Sequence, residues 1–416
     1  MNKIEELLKE HEIDATKLSR LFSNTLHLNH KLIKKIERLP VKNLKKVHKD
    51  SKTAKELIML FLTTFNNTYL IALKSLENST KKEGFKQLYS EYLRKNIGSN
   101  YKAIIKLLIN EGIIVKGRNY FVNKRCTEYR LSKFYFNLKF SEYQIESDLV
   151  IKKLEKKNLN LLIQAICNPI ARNNLDNLSN LELPSRSKIE KRLLEVAKSG
   201  YTNKKGKTLK KLGKKKRVDH FVYVEDYLDI FDYLTIDYLI PIISQNAGGR
   251  VYTSLNLLPS LIKEEFGLIE VDYSCLHPNL ANKIYEGSRK SITHDIVAQY
   301  LGIGRKEAKI EHLSFFNKDF LGMSRSPLLK YYMDKEPKMM HNLIIEKKEK
   351  GYRDTSLKLF TLETKIMTEV LIQLKENGIY AVYNFDAFLV DLKDVERTKS
   401  IMNDVLKKYG VNTVAK

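Results

Sequence analysis

Apolar residues recur at helical spacing through the first 95 residues, as in the stripe formed by Ile4, Leu7 and Leu8. Such spacing is typical of helices that bury one face. Polar segments at 48–53 and 77–84 separate the stripes. The pattern predicts an all-helical N-terminal region. It begins with an amphipathic helix and lacks the charged-then-apolar order of a secretion signal.

The pattern changes near residue 97. IGSNYKAIIKLLINEG predicts a helix that ends at Gly112, and the two runs that follow, IIVKGRNYFV and TEYRLSKFYF, alternate like strands. A helix followed by a hairpin resembles a winged helix-turn-helix domain, whose helix enters the major groove while its wing touches the backbone. An α+β patch with solvated lysines is the alternative. The side chains expected to face DNA are Tyr101, Lys102, Lys106, Arg118, Lys124 and Arg125.

The middle of the chain is strongly basic. Residues 141–187 predict further helix, and beyond Pro184 lysines dominate, with Gly200, Gly206 and Gly213 favouring a loop over one long helix. A cationic loop can follow a phosphate backbone and release its counterions. The nucleic-acid contacts expected there are Lys204, Lys205, Lys210, Lys211, Lys214, Lys215, Lys216 and Arg217.

Composition supports this expectation. Lysine and arginine number 74 against 49 acids, a formal charge of +25 that points to a polyanionic partner. No apolar run reaches the roughly 18 residues of a membrane helix, so we expect a cytoplasmic protein without a membrane partner. Cys126, Cys167 and Cys275 are too few and too scattered for a disulfide framework or a zinc knuckle.

Two acids carry the candidate chemistry. Asp272 follows a short apolar strand, and a helix is predicted to start just beyond Pro278. Asp386 lies between the apolar runs YAVYNF and AFLVDL, which predict a hairpin with the acid at its tip. Facing each other, the two acids would form an oxygen cage for Mg²⁺. A pair of such ions serves in-line phosphoryl displacement. The bland alternative is that each aspartate only caps a turn.

Further polar residues lie between and beside these acids. Arg305 and Lys309 are four residues apart on a predicted helix, so one face presents two cations to a triphosphate. A Walker-type glycine loop is lacking, which argues against an ATPase motor. Glu363, on the helix before the hairpin, is expected either to point at the site or to be solvated. His294, His312 and His341 have either functional or structural roles.

Residues 247–391 resemble the palm and fingers of family-A DNA polymerases. Five segments follow the family's order. GGRVYTSLNLLP (248–259) is similar to the segment before motif A, VDYSCLHPNLA (271–281) to motif A and THDIVAQYLG (293–302) to the segment after it. Residues 305–317 are similar to the motif B helix, and YNFDAFLV (383–390) to motif C.

The resemblance implies roles position by position. Asp272 and Asp386 would be the catalytic carboxylates that hold two Mg²⁺ ions, with Mn²⁺ as a substitute, and the backbone carbonyl of Tyr273 would be a further metal ligand. Arg305 and Lys309 would bind the incoming triphosphate. Gly249 and Arg250 would lie near the template or primer.

The departures from the family affect the sugar and base contacts. His277 replaces the motif A Glu that closes off the sugar 2′ position, so nucleotide contact at His277 is expected but sugar choice stays open. Leu313 and Asn317 replace the aromatic residues of motif B, and Phe315 or Phe316 is expected to substitute. In motif C, Phe385 and Ala387 replace His and Glu. Only 114 residues separate Asp272 from Asp386, which implies reduced fingers.

Together these observations predict a mostly helical α+β protein. Its parts are a helical N-terminal domain (1–95), a winged-helix-like DNA-binding domain (96–140), a basic helical thumb-like region (141–235) and a polymerase-like palm with a small antiparallel sheet and reduced fingers (236–416). The predicted function is template-directed DNA polymerase, acting for a phage, plasmid or other mobile element. Its partners would be primer-template DNA, nucleoside triphosphates and a specific duplex site. The alternatives are a non-catalytic replication initiator on a decayed palm, a single-subunit RNA polymerase or primase-like enzyme, and a basic nuclease.

Overall fold

The computed structural model is mostly helical with small antiparallel sheets, which confirms the α+β class. It describes residues 3–13, 23–66, 85–122, 125–135, 140–199, 224–225, 227–228, 231–232, 241–258 and 260–416. Within these ranges no helix combines the length and the apolar character that a membrane crossing needs.

The chain forms two compact units. The first takes in the described residues of Met1–Ile163, Ser185–Gly200 and Leu209–Leu239, and the second those of Gln164–Pro184 and Ile240–Lys416. The elements of the first unit, with α7 continuing beyond it, are α1 Lys3–Glu10, β1 Thr25–Asn29, α2 His30–Glu37, α3 Val41–Leu44, α4 Ser51–Leu62, β2 Lys86–Gln87, α5 Ser90–Asn96, α6 Tyr101–Asn110, β3 Ile114–Lys116, β4 Glu128–Leu131, β5 Phe140–Gln144, α7 Asp148–Ile166 and α9 Arg186–Ser199.

Two small sheets accompany the helices of the first unit. Strands β1 and β5 pair antiparallel, and β2, β4 and β3 form a second antiparallel sheet in that order. The expectation of an all-helical region before residue 95 is therefore wrong at β1 and β2. Helix α6 followed by the β3–β4 pair confirms the predicted helix and hairpin as local structure. The largest side chains of this unit's core include Leu32, Phe61, Phe65, Leu108 and Ile113.

The second unit contains the described residues from 241 to the last residue of the chain, together with residues 164–184. Its elements are α8 Pro169–Asn180, β6 Ile242–Ser244, β7 Arg250–Tyr252, α10 Ser260–Lys263, β8 Ile269–Asp272, α11 Leu276–Ile284, α12 His294–Leu301, α13 Arg305–Phe315, α14 Phe320–Ser324, α15 Leu328–Lys335, α16 Pro337–Glu349, α17 Tyr352–Glu376, β9 Ala381–Asn384, β10 Ala387–Val390 and α18 Val395–Lys408. Helix α11 begins at Leu276, two residues before Pro278, whereas the sequence predicts a start just beyond this proline.

A three-stranded antiparallel sheet organises the second unit, in the order β8–β10–β9. Every residue of β9 and β10 is buried, as the two apolar runs in the sequence require. The long helix α17 packs against β7, β9 and α11 and buries Leu359, Ile366, Met367 and Val370. Sheet and helix together form a firm base for the turn between β9 and β10.

Both outer strands of this sheet have further partners. Along β8, the backbone groups of Asp272 and Lys416 exchange hydrogen bonds of 3.3 and 3.0 Å. Along β9, three asparagines of α8 bond to the backbone. Asn174 accepts from Tyr383 N–H at 2.9 Å, and the side chains of Asn173 and Asn177 donate to the carbonyl of Ala381 at 2.8 and 2.7 Å. The sheet is therefore held on both sides by other parts of its own unit.

Candidate active site

One of the two predicted catalytic acids ends a strand, and the other lies in the turn that leads into the neighbouring strand. Asp272 ends β8, and Asp386 follows Phe385 in the turn between β9 and β10. Ala387 is the register partner of Asp272, and the Tyr273 N–H donates to the Asp386 carbonyl oxygen at 3.4 Å. The hairpin predicted from sequence is confirmed, and pairing of β8 with β10 brings the two acidic residues to one end of the sheet.

Asp386 is in an environment that disfavours its negative charge. Burial, followed by the negative charge of Glu363, raises the pKa of Asp386, while His277 and Arg250 act in the opposite direction. A cation bound at Asp386 would offset both the burial of its charge and the repulsion from Glu363. Carboxylates are donors that suit Mg²⁺, which takes one or two of them together with waters and substrate phosphates. The Tyr273 side chain is buried and donates to the Met402 carbonyl at 2.9 Å, so only its backbone is left for the predicted metal contact.

Beside the acids lies a buried ion cluster formed by Arg250, His277 and Glu363. Arg250 donates to Glu363 from Nε at 2.6 Å and from Nη2 at 2.5 Å, and His277 Nε2 lies 2.6 Å from Glu363 Oε2. The guanidinium also lies over the Phe360 ring, 4.0 Å from its centroid. Burial alone would raise the pKa of Glu363, but its two partners hold that pKa below its ordinary value. Glu363 is therefore an ionised, fully buried residue, and the alternative of a solvated helix acid is wrong.

The loop before Arg250 fits tightly against α17. Gly248 adopts a left-handed φ of 63°, and a Cβ atom built there would lie 2.4 Å from the backbone nitrogen of Thr361. Further along the same segment, the Asn256 side chain donates to Asn384 Oδ1 at 2.8 Å. Asn384 in turn donates to Glu270 at 3.0 Å. The GGRVYTSLN segment is thus attached to both the long helix and the sheet, which sets the position of Arg250.

Helix α13 presents the two predicted triphosphate contacts. Arg305 and Lys309 are exposed, and Arg305 forms an ion pair of 2.9 Å with Asp295. Leu313 continues the same row one turn later and is 53% exposed. Four-residue spacing puts these three side chains on one helix face. That row suits a nucleotide with its phosphates toward Arg305 and its base toward Leu313.

The expectation that Phe315 or Phe316 supplies a base-stacking surface is wrong. Both rings are fully or almost fully buried and pack against Tyr332, with centroid distances of 5.2 and 5.4 Å. Burial of both rings in the core of the second unit leaves neither available to a nucleotide base.

A second cluster was not expected from the sequence. Within the described ranges, one group of three metal-ligating side chains lies close together, namely Cys275, His294 and His312. Burial raises the pKa of the Cys275 thiol to about 12 and lowers the pKa of each histidine to about 4. Without a cation all three groups are neutral near pH 7. Asp272 and Asp386 do not belong to a described group of this kind.

The side chains of the first unit that were predicted to contact DNA differ in exposure and in their hydrogen-bond partners. Lys102 and Lys106 are exposed on α6 and, with Lys116, line a cleft of about 410 Å³. Tyr101 is buried, so the expectation that it faces DNA is wrong. Arg118 donates twice to Glu128, at 2.8 Å each, which offsets its charge. Arg125 donates from Nε to the Asn119 carbonyl at 3.0 Å. The other predicted contacts lie outside the described residues; they are Lys124, Lys204, Lys205, Lys210, Lys211, Lys214, Lys215, Lys216 and Arg217.

Comparison with known proteins gives one structural similarity to report. The POL domain of Pol1 from M. smegmatis, solved in complex with a DNA primer-template and dNTP, aligns with a TM-score of 0.42 and 10% sequence identity. The alignment covers 84% of this chain and 80% of that one. No protein-family model and no curated protein sequence matches the chain.

Proposed function

We propose that the chain is a template-directed DNA polymerase that transfers nucleotides to a primer 3′-hydroxyl, with Asp272 and Asp386 as its metal-binding acids. The observation that carries the proposal is that strand pairing brings these two residues, 114 positions apart in sequence, to the same end of one sheet, with Asp272 at the end of β8 and Asp386 in the turn before β10. The raised pKa of Asp386 supports a cation site there. The backbone carbonyl of Tyr273 is the proposed further ligand.

The chain's own residues would divide the remaining work. Arg305 and Lys309 would hold the triphosphate and offset the charge of the departing pyrophosphate, while Leu313 would contact the base. Arg250, held by Glu363, would form the surface against which the primer or template lies. His277 would approach the sugar, its ring fixed by the same carboxylate. Mg²⁺, when bound by Asp272 and Asp386, supplies charge stabilisation for in-line displacement at the α-phosphate.

Basic residues elsewhere in the chain would bind the nucleic acid. Lys102 and Lys106 and the lysines of residues 204–217 are the proposed contacts, in a chain whose net charge is +25. A polymerase joined to its own site-binding module suits replication of a phage, plasmid or other mobile element. That interpretation depends on architecture alone.

The experiment is extension of a labelled primer-template, with dNTPs and NTPs supplied in separate reactions and with Mg²⁺ or Mn²⁺. Wild type is compared with Asp272→Asn, Asp386→Asn and the control Asp404→Asn, whose carboxylate is on the surface of α18. We expect extension in wild type and control, and a loss of at least about 10³-fold in the two site variants. The preferred triphosphate decides between a DNA polymerase and an RNA polymerase.

Two other outcomes would contradict the proposal. DNA binding without extension, unchanged in Asp272→Asn and Asp386→Asn, would indicate a non-catalytic initiator. Strand scission without nucleotides that depends on both acids would indicate a nuclease.

A further inference from the structure

Three side chains from separate parts of the second unit converge beside the triphosphate-binding row. Cys275 lies directly before α11 in a left-handed conformation (φ 57°), His294 is the first residue of α12, and His312 lies on α13. Their ligand atoms all lie within 4.8 Å of one another. Cys275 and His312 are buried, whereas His294 is partly exposed.

The distances match the edges of a tetrahedral zinc site. Zn–S bonds of about 2.3 Å and Zn–N bonds of about 2.05 Å imply an S···N edge near 3.5 Å and an N···N edge near 3.3 Å. Cys275 Sγ lies 3.5 Å from His294 Nδ1, and His294 Nδ1 lies 3.2 Å from His312 Nδ1. One thiolate with two imidazoles is also a donor set that Zn²⁺ favours and Mg²⁺ does not.

The surroundings of His312 support a metal-binding orientation. Its Nε2 lies 2.6 Å from the hydroxyl oxygen of Tyr332, a fully buried residue. If Nε2–H donates to this oxygen, Nδ1 carries no proton and can bind a metal ion. Histidines that bind metals commonly donate their other ring N–H to such a partner. In the alternative tautomer, Nδ1–H donates a hydrogen bond to the Ala308 carbonyl oxygen, which lies 2.7 Å from Nδ1. The cluster therefore has one proton arrangement suited to a metal and another suited to a hydrogen-bond chain.

We propose that Cys275, His294 and His312 bind one Zn²⁺ ion, with a water molecule as the fourth ligand. This site is separate from the Asp272 and Asp386 pair in residues and in metal preference. It joins the start of α11, which follows the strand that carries Asp272, to α12 and α13. Since Lys309 precedes His312 by less than one turn of α13, the ion would fix the helix that presents Arg305 and Lys309. Its role would be structural, and the inference does not depend on polymerase activity.

The test uses the untagged full chain, freed of metal by a chelator and titrated with Co²⁺ and then Zn²⁺. Co²⁺ bound to a thiolate gives a charge-transfer absorption band, and bound zinc is counted by mass spectrometry of the metal. We expect one ion per chain. The Co²⁺–thiolate band should disappear when Zn²⁺ is added but not when Mg²⁺ is added in excess. The affinity for Zn²⁺ should be at least about 100-fold lower in Cys275→Ser and His312→Gln. The exposed residues Cys167 and His341 supply the controls Cys167→Ser and His341→Gln, which should bind as wild type does.

A second variant keeps the test decisive if the cluster variants fail to fold. Cys126→Ser/Cys167→Ser retains Cys275 as its single cysteine, so a thiolate band in this protein must come from Cys275. Absence of that band, or a band and stoichiometry that survive in Cys275→Ser, would overturn the proposal. The cluster would then be a hydrogen-bond chain that holds the three helices together.

Discussion

The guanidinium group of Arg250 donates to both carboxylate oxygens of Glu363, which is fully buried on α17. Removing one partner of such a pair leaves an uncompensated charge in the interior, at a cost of about 3–5 kcal/mol. We therefore expect Arg250→Met to lower the free energy of unfolding by roughly that amount. Glu363→Gln in the same chain should restore part of the loss because no buried carboxylate remains.

Urea unfolding of the two single variants and the double variant measures this coupling. Lys408→Met is the control, because the Lys408–Glu369 pair has an exposed lysine on the surface of the same unit, and its effect should be much smaller. Additive effects of Arg250→Met and Glu363→Gln would contradict the buried pair.

Substitutions at two glycines can distinguish the cost of backbone strain from the cost of a steric clash. Gly248 and Gly302 have nearly equal left-handed φ angles of 63° and 65°. A Cβ at Gly248 meets the backbone of α17 at 2.4 Å, but one at Gly302 meets nothing within 4 Å. Gly302→Ala should cost about 1–2 kcal/mol from conformation alone, and Gly248→Ala at least about 1–3 kcal/mol more from overpacking. Equal melting temperatures for the two variants would show that the loop does not press on α17.

The triphosphate-binding row can be tested by binding alone. Under the proposed function, Lys309→Ala should weaken Mg²⁺-triphosphate binding by about 10- to 100-fold, the effect of losing one charge-assisted hydrogen bond. Lys306→Ala, exposed on the same helix but outside the row, should have little effect. Because Asp295 pairs with Arg305, Asp295→Asn should tighten binding a few-fold. Isothermal titration calorimetry measures triphosphate binding by all three variants. Equal losses of affinity in Lys306→Ala and Lys309→Ala would contradict the proposed binding row.

The first unit's lysines should differ from its arginine in their effect on DNA binding. Lys102 and Lys106 are exposed, whereas Arg118 is paired with Glu128. Lys102→Ala/Lys106→Ala should reduce the salt dependence of duplex affinity, changing the slope of log K against log salt by about 2. Arg118→Ala should change it by less. Fluorescence anisotropy at four salt concentrations measures the slopes, and a larger change in Arg118→Ala would contradict the assignment.

Lys347 should make stability depend on pH in the alkaline range. Its ammonium group donates to the carbonyls of Phe316 and Lys318, and burial lowers its pKa to about 8. Between pH 8 and about 10.4 the unfolded chain binds more protons at this residue than the folded chain does, so its contribution to stability rises with pH. Over this pH range, the free energy of unfolding of wild type should rise by on the order of 2 kcal/mol relative to that of Lys347→Met. Lys348→Met, at an exposed position, should show no such trend in urea titrations.

Local patterns in the sequence predict part of this site well. The hairpin around Asp386 was predictable because two apolar runs flank a polar turn, and the strand before Asp272 because it is short and apolar. Strand β1 was missed because its alternating run, TLHLN, is only five residues long and lies in a region whose apolar residues otherwise recur at helical spacing. The environment of Glu363 could not be predicted, because its partners Arg250 and His277 lie 113 and 86 residues away.

The same limit applies to residues whose role depends on packing between helices. Phe315 and Phe316 have the right type for base stacking, but the position of α15 and its Tyr332 decides that they are core residues. Cys275, His294 and His312 lack the close spacing of a zinc motif in sequence, and only the arrangement of α11, α12 and α13 brings them together.

The outer strands of the β8–β10–β9 sheet have hydrogen-bond partners within their own unit, and this affects self-association. Unpaired backbone groups on an outer strand are a template for pairing with another molecule and for aggregation. Here the amide side chains of α8 occupy backbone groups of β9, and the backbone of residues 414–416 lies along the end of β8. Replacing Asn173, Asn174 and Asn177 with alanine would uncover β9. The asparagines of α8 thus leave the outer edge of a strongly apolar sheet with fewer backbone groups to offer a second molecule.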